Sequence, residues 1–139
     1  MTTLTPETVR AEIEKFWNAF TSKSAEALEE FYAHESSVFG STATRPEPGR
    51  LAATRRKREY FTANSQLRSQ VGLIDIVMLG DTAAVASYTF QFHASRIATA
   101  TAKSSDEHIL HGRATQVFAV DHDGSIRIFH EHFSLPYTA

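Results

Sequence analysis

Cysteine is absent from this 139-residue chain, which excludes a disulfide framework, a thiolate nucleophile and any cysteine-ligated zinc or iron–sulfur centre. Long apolar runs are absent as well. No segment approaches the roughly eighteen consecutive apolar residues of a spanning helix, and Met1 to Pro6 carries no basic stretch leading into an apolar signal core, so the expectation is a cytoplasmic protein with no membrane partner. Nor is one sign of charge in excess. Fourteen Lys and Arg against sixteen Asp and Glu leave a formal net charge of −2, which gives no electrostatic drive toward nucleic acid. No glycine-rich phosphate loop is present and no serine sits in a nucleophile-elbow pattern, so no cofactor is expected and triad hydrolysis has no support. What remains is a small-molecule ligand or a protein partner. Without internal repeats or a low-complexity linker, residues 1–139 read as one domain, long enough to bury roughly 68–70% of its unfolded surface without staples.

Thr5-Pro6-Glu7 has the chemistry of a helix start: a hydroxyl to cap an orphan amide, a proline where its missing N–H costs nothing, and an acid at the positive end. Val9, Ile13, Phe16, Trp17 and Phe20 then recur at helical spacing and form one apolar stripe. Ser24 caps a second short helix carrying Ala27, Leu28, Phe31 and Tyr32, followed by a brief strand at Ser37-Val38-Phe39 and a loop from Gly40 to Gly49. Arg50 to about Phe61 is helical in composition. Beyond it the pattern becomes sheet: strands at Val71 to Leu79, Ala83 to about Ser95, His108 to Val120 and Ser125 to Leu135, with tight turns at Gly80-Asp81 and Asp121 to Gly124. The segment Ile97 to Asp106, small and polar, reads as a mobile connection. Helices first and long antiparallel strands later define an α+β class with helices on one sheet face.

Alternation in the last strand separates Ile126, Ile128, His130, His132 and Ser134 from Arg127, Phe129, Glu131, Phe133 and Leu135. Its neighbour divides into Leu110, Gly112, Ala114, Gln116 and Phe118 against Ile109, His111, Arg113, Thr115 and Val117. Neither face is plainly a solvent face. Helices over one and a second subunit over the other would cover both, so a homodimer is expected, with Arg113, Thr115, His130 and His132 at its interface.

The C-terminal part, Gly112-Arg113-Ala114-Thr115-Gln116-Val117-Phe118, then Asp123-Gly124, then His130-Glu131-His132-Phe133-Ser134-Leu135-Pro136, resembles the SnoaL-like domains of the nuclear-transport-factor-2-like superfamily. Their pattern of a Gly-Arg-x-Thr-x-Val strand, an Asp-Gly turn and a final His-x-His-x-Ser is all here, and the order of the remaining elements agrees across nearly the whole chain. The resemblance implies a cone-shaped, strongly curved antiparallel sheet packed on N-terminal helices around a pocket, commonly dimeric. It also implies a superfamily holding polyketide cyclases, ketosteroid isomerases, dehydratases and non-catalytic assembly domains, so fold does not settle function. The isomerase branch places its general base just after the second helix, where this chain has Ser36-Ser37-Val38-Phe39-Gly40-Ser41 and no acid. The cyclase branch places an aspartate on the last strand, and counting from Gly124-Ser125-Ile126 reaches Glu131.

Glu131 is therefore the candidate catalytic residue, with Phe129 and Phe133 beside it and Gln116 opposite. A desolvated carboxyl is suited to act as general acid or base on an enolisable or epoxide-like substrate. The plainer alternative pairs it with Arg127 or another cation. Tyr88, Phe90 and Phe92 alternate on one strand, and with Trp17 and Tyr32 they form either an aromatic ligand wall or ordinary core. The ligand-binding set is Trp17, Tyr32, Tyr88, Phe90, Gln116, Phe129 and Phe133. His93, His111, His130 and His132 lack metal-ligand spacing, and no metal is expected. Arg55-Arg56-Lys57-Arg58 reads as a solvated helix surface. Two functions fit: a small-molecule-binding protein that isomerises, cyclises or dehydrates an apolar oxygenated compound without a cofactor, or a non-catalytic ligand-binding or oligomerisation module.

Overall fold

The helix begun at Thr5 runs over α1 (Pro6–Thr21), where Thr5 and Thr8 cap each other reciprocally and Val9, Ile13, Phe16, Trp17 and Phe20 are all buried. This computed structural model describes residues 2–41, 43–96 and 107–135, except for the side chains of Ser65, Arg96 and Glu107. The connection expected at Ile97 to Asp106, and Pro136 of the C-terminal motif, lie outside the described residues. Ser24 caps α2 (Ala25–Glu29) by accepting the Ala27 amide at 3.2 Å. Phe31 and Tyr32, expected in that helix, fall beyond its end, and Tyr32 opens β1 (Tyr32–Phe39). Sheet pairing outweighs the helical spacing there: the Ile128 amide donates to the Phe31 carbonyl at 2.7 Å, and Tyr32 lies opposite Ile128.

The remaining elements are β2 (Glu47–Pro48), α3 (Arg50–Ala63), β3 (Asn64–Met78), β4 (Ala83–Arg96), β5 (Glu107–Val120) and β6 (Ile126–Ser134). The strands form one six-stranded curved sheet in the order β2-β1-β6-β5-β4-β3. It is not wholly antiparallel, because β1 and β6 pair in parallel. Those two strands meet across most of the chain rather than through a hairpin, so no tight turn dictates their relative direction. β3 begins earlier than its apolar run suggested, extending the β3–β4 ladder to Asn64 opposite Arg96.

Bulges bend the sheet and decide which side chains face inward. Val117 pairs with His130 and Phe118 with Ile128, which leaves Phe129 as an extra residue in β6. Simple alternation put Ile128 with the histidines and Phe129 with Glu131. The bulge instead makes Ile128 a fully buried core residue alongside Phe118, and leaves Phe129 half-buried and outside the core cluster. The inner face is built of cross-strand rows, Ala86 with Gln116 and Glu131, then Tyr88 with Ala114 and Phe133, then Phe90 with Gly112. Gly112 has to be glycine: a Cβ there would overlap the Phe90 ring lying across it.

The core fills the space between this inner face and α1, α2 and α3, and an aromatic network of Phe16, Trp17, Phe20, Phe90, Phe92 and Phe133 runs through it. On the outer face Leu73 and Ile109 are exposed. Among the described residues no helix is long and apolar enough to cross a membrane.

Candidate functional site

A cavity of about 170 Å³ opens between the inner sheet face, α1 and α3. Its walls are Trp17 and Phe20 from α1, Phe90 and Phe92 from β4, Leu110 from β5, Phe133 from β6 and Tyr60 from α3, while Gly40, Ser41, Glu47 and Arg56 stand toward its mouth. Each wall residue follows from its period: offsets of three on α1, alternation on β4, and the position two beyond Glu131 on β6.

Glu131 sits at the inner end, its side chain wholly buried. Three groups donate hydrogens to the carboxylate. The Tyr32 hydroxyl lies 2.8 Å from Oε1 and 3.0 Å from Oε2, Gln116 Nε2 is 2.8 Å from Oε1, and Lys57 Nζ is 2.9 Å from Oε2. Behind them the chain continues, with the Tyr88 hydroxyl donating to Gln116 Oε1 at 2.6 Å and Trp17 Nε1 donating to the Tyr88 oxygen at 3.1 Å. Every polar atom in this line has a partner, the condition under which a buried polar network holds one geometry rather than costing stability.

The two phenols are held protonated. Burial is the largest cause of the rise in the Tyr32 pKa well above the ordinary phenol range, reinforced by the Glu131 charge and hydrogen bond. Burial also raises Tyr88, against a smaller opposing effect of the Trp17 hydrogen bond. Both hydroxyls therefore act as donors throughout the physiological range.

Lys57 is the cavity residue that sequence reasoning misses. It stood inside the run Arg55-Arg56-Lys57-Arg58, read as a solvated surface. The flanking residues do face outward: Arg55 pairs with Glu47 at 2.5 Å, and Arg58 pairs with Glu29. The Lys57 side chain turns inward and is only 11% exposed. Ala53, Lys57 and Phe61 are spaced four apart, and Ala53, Thr54 and Phe61 are buried, so the signal is a narrow inner stripe within a charged helix. Besides Glu131, Lys57 donates to the Ala53 carbonyl at 3.0 Å and stands 5.0 Å from the Phe133 ring centre and 5.5 Å from that of Tyr32.

The structure brings together most of the expected site. Trp17, Phe90, Phe133 and Glu131 line the cavity, while Tyr32, Tyr88 and Gln116 form the hydrogen-bonded layer behind it. Phe129 is not among the lining residues. Glu131 does pair with a cation, as the plainer alternative has it, but the partner is Lys57; Arg127 instead pairs with Asp121 at 3.2 Å and Asp123 at 2.7 Å across the last turn. The expected interface residues are occupied within the chain. Arg113 donates to Ser134 Oγ at 3.2 Å and to the Leu135 carbonyl at 3.1 Å, His130 Nδ1 is 2.8 Å from Ser37 Oγ, and His132 stacks on Phe39. Thr115 is half-buried opposite His132. Among the described residues no group of three or more His, Asp or Glu is placed to hold a metal ion.

A curved sheet closed on three helices around an aromatic cavity, with a buried polar cluster at its inner end, defines a cone-shaped pocket protein. The model of the SnoaL-like domain matches residues 9–138, and the chain belongs to that family. No curated protein matches it. Among solved structures, a nuclear transport factor 2-like superfamily protein from Salmonella enterica is 20% identical with a TM-score of 0.78, over 96% of this chain and 92% of that one. A candidate scytalone dehydratase from Novosphingobium aromaticivorans is 14% identical with a TM-score of 0.78, over 94% and 83%. The association domain of C. elegans CaMKII is 16% identical with a TM-score of 0.68, over 92% of each chain. At these identities the likeness shows the fold alone, and the fold is shared by a candidate enzyme and an association domain.

Proposed function

We propose that this chain binds a small, apolar, oxygen-bearing molecule in the cavity, anchored on Lys57. The observation that carries this reading is the position of that lysine. Lys57 and Glu131 both line the inner end, and of the pair only the Lys57 side chain keeps exposed surface, 11% against none, so its ammonium is the polar group of the pair that an entering molecule meets first. Two of its three N–H groups are used, on Glu131 and the Ala53 carbonyl, and the third has no acceptor among the described residues. Aromatic walls with a few polar groups, here Lys57 at the inner end with Tyr60, Ser41 and Ser134 also lining the cavity, are the general composition of a small-molecule site. Filling the cavity with Ala53→Leu, at a buried lining position, should abolish saturable binding of a single-ring ketone followed by ligand-observed NMR while the fold is kept. Undiminished binding in that variant would place the ligand elsewhere.

The same pair supplies a cofactor-independent chemistry for isomerisation, cyclisation or dehydration. Lys57 would polarise a carbonyl oxygen and Glu131 would take a proton from the adjacent carbon. This catalytic reading is subordinate, because three donated hydrogens already occupy the carboxylate. Exchange of the ligand's α-hydrogens with deuterated water, lost in Glu131→Gln, would establish it.

We also propose a homodimer through the outer sheet face. Exposed Ile109, Arg113 and His132 on β5 and β6 support it, together with an outer face that mixes apolar and polar residues. Light scattering at micromolar concentration should give twice the chain mass, and a monomer there would contradict the proposal.

A further inference from the structure

Resting on the reading that the cavity binds a small molecule, we infer that its ligand class is an uncharged, flat, single-ring aromatic carbonyl compound, and that the Lys57–Glu131 pair discriminates against the corresponding carboxylate. Size and shape come first. The cavity measures about 170 Å³, close to the roughly 150 Å³ of an apolar protein cavity known to take up benzene. The volume suits one ring. The walls favour a flat guest: the rings of Trp17, Phe20, Tyr60, Phe90, Phe92 and Phe133 all line the cavity. Offset stacking on such faces rewards an aromatic ring over a puckered one.

Charge decides the rest. A lone lysine in an aromatic pocket would select an anion, but this lysine is already neutralised by a fully buried carboxylate 2.9 Å away. A carboxylate guest on the free Lys57 N–H would leave a net negative charge at the inner end of a largely apolar cavity, beside the buried Glu131 carboxylate and partly stripped of water. The nearest further cation lining the cavity is Arg56, which stands half-exposed at the mouth and is 4.0 Å from Glu47. A ketone or aldehyde oxygen accepts the same hydrogen bond without adding charge.

Trp17 is the one tryptophan of the chain and lines the cavity, so its fluorescence reports occupancy directly. Acetophenone, benzoate and ethylbenzene, titrated at pH 7, share a ring and differ in the polar group. Acetophenone should bind at least tenfold more tightly than either of the others. In Glu131→Gln the site gains a positive charge, and the preference should invert toward benzoate. In the double variant Lys57→Met with Glu131→Gln, which removes both charges and avoids stranding either, acetophenone should fall to the affinity of ethylbenzene. Saturable quenching in which benzoate equals or exceeds acetophenone in the unmodified protein, or a preference unmoved by Glu131→Gln, would overturn the ligand class while leaving the binding reading intact. Absence of saturable quenching by all three probes would overturn both.

Discussion

Replacing Lys57 with methionine should lower the stability of the fold by about 3–5 kcal/mol, even though the residue belongs to a run of surface cations. Methionine keeps most of the stem's volume, so packing changes little. What it removes is the only cation paired with Glu131 among the described residues, and the Glu131 side chain is wholly buried. Breaking a buried pair costs far more than the pair contributes when intact, because the survivor keeps its desolvation penalty without compensation. A second substitution separates this mechanism from a loss of packing. With Glu131→Gln added, the stranded charge is gone, Tyr32 and Gln116 keep an acceptor, and most of the loss should be recovered. Thermal unfolding of the two variants measures this, with the single variant melting on the order of 10 °C lower. If both unfold alike, the Lys57 contribution lies in packing and not in charge. The same substitution at Arg55, whose partner Glu47 is at the surface, should change stability by less than about 1 kcal/mol.

Gln116→Leu is expected to cost about 3 kcal/mol despite the similar side-chain size. Gln116 is fully buried and joins two halves of the cluster, accepting from Tyr88 at 2.6 Å and donating to Glu131 at 2.8 Å. Leucine leaves the Tyr88 hydroxyl without an acceptor and removes one of the three donors on the carboxylate, and an unsatisfied buried polar group costs roughly 1–3 kcal/mol. The effect should reach Trp17 as well, because its indole N–H bonds to the same Tyr88 oxygen. A shift of the tryptophan emission in the variant would report that coupling. A stability loss below about 1 kcal/mol would mean that the Gln116 bonds are replaced by others.

These effects centre on residues that differ in how plainly the chain declares them. Trp17, Phe90 and Phe133 declare themselves through the periods of α1, β4 and β6, and Gln116 opposite Glu131 follows from pairing two strands across a short turn. Periodicity works there because each element is regular at that point. It fails at Phe129, where the bulge adds a residue and exchanges the inward place of Phe129 for Ile128. Local patterns carry no mark of such a register shift. Tyr32 reads as a pocket residue at the end of a helix, since its strand character comes from a parallel partner nearly a hundred residues away in sequence. Lys57 was hidden by composition: three exposed cations around it made the run look uniform, and only the buried carboxylate on a distant strand singles it out.

The central claim is that the ammonium of Lys57 presents a hydrogen bond to a molecule inside the cone. A crystal structure of the protein grown with acetophenone tests it most directly. The expected result is a ring against the aromatic walls with its carbonyl oxygen within about 3.2 Å of Lys57 Nζ, and Glu131 still paired to that nitrogen. A cavity closed to the ketone, or a ring bound with its oxygen directed to the mouth and away from Lys57, would contradict it.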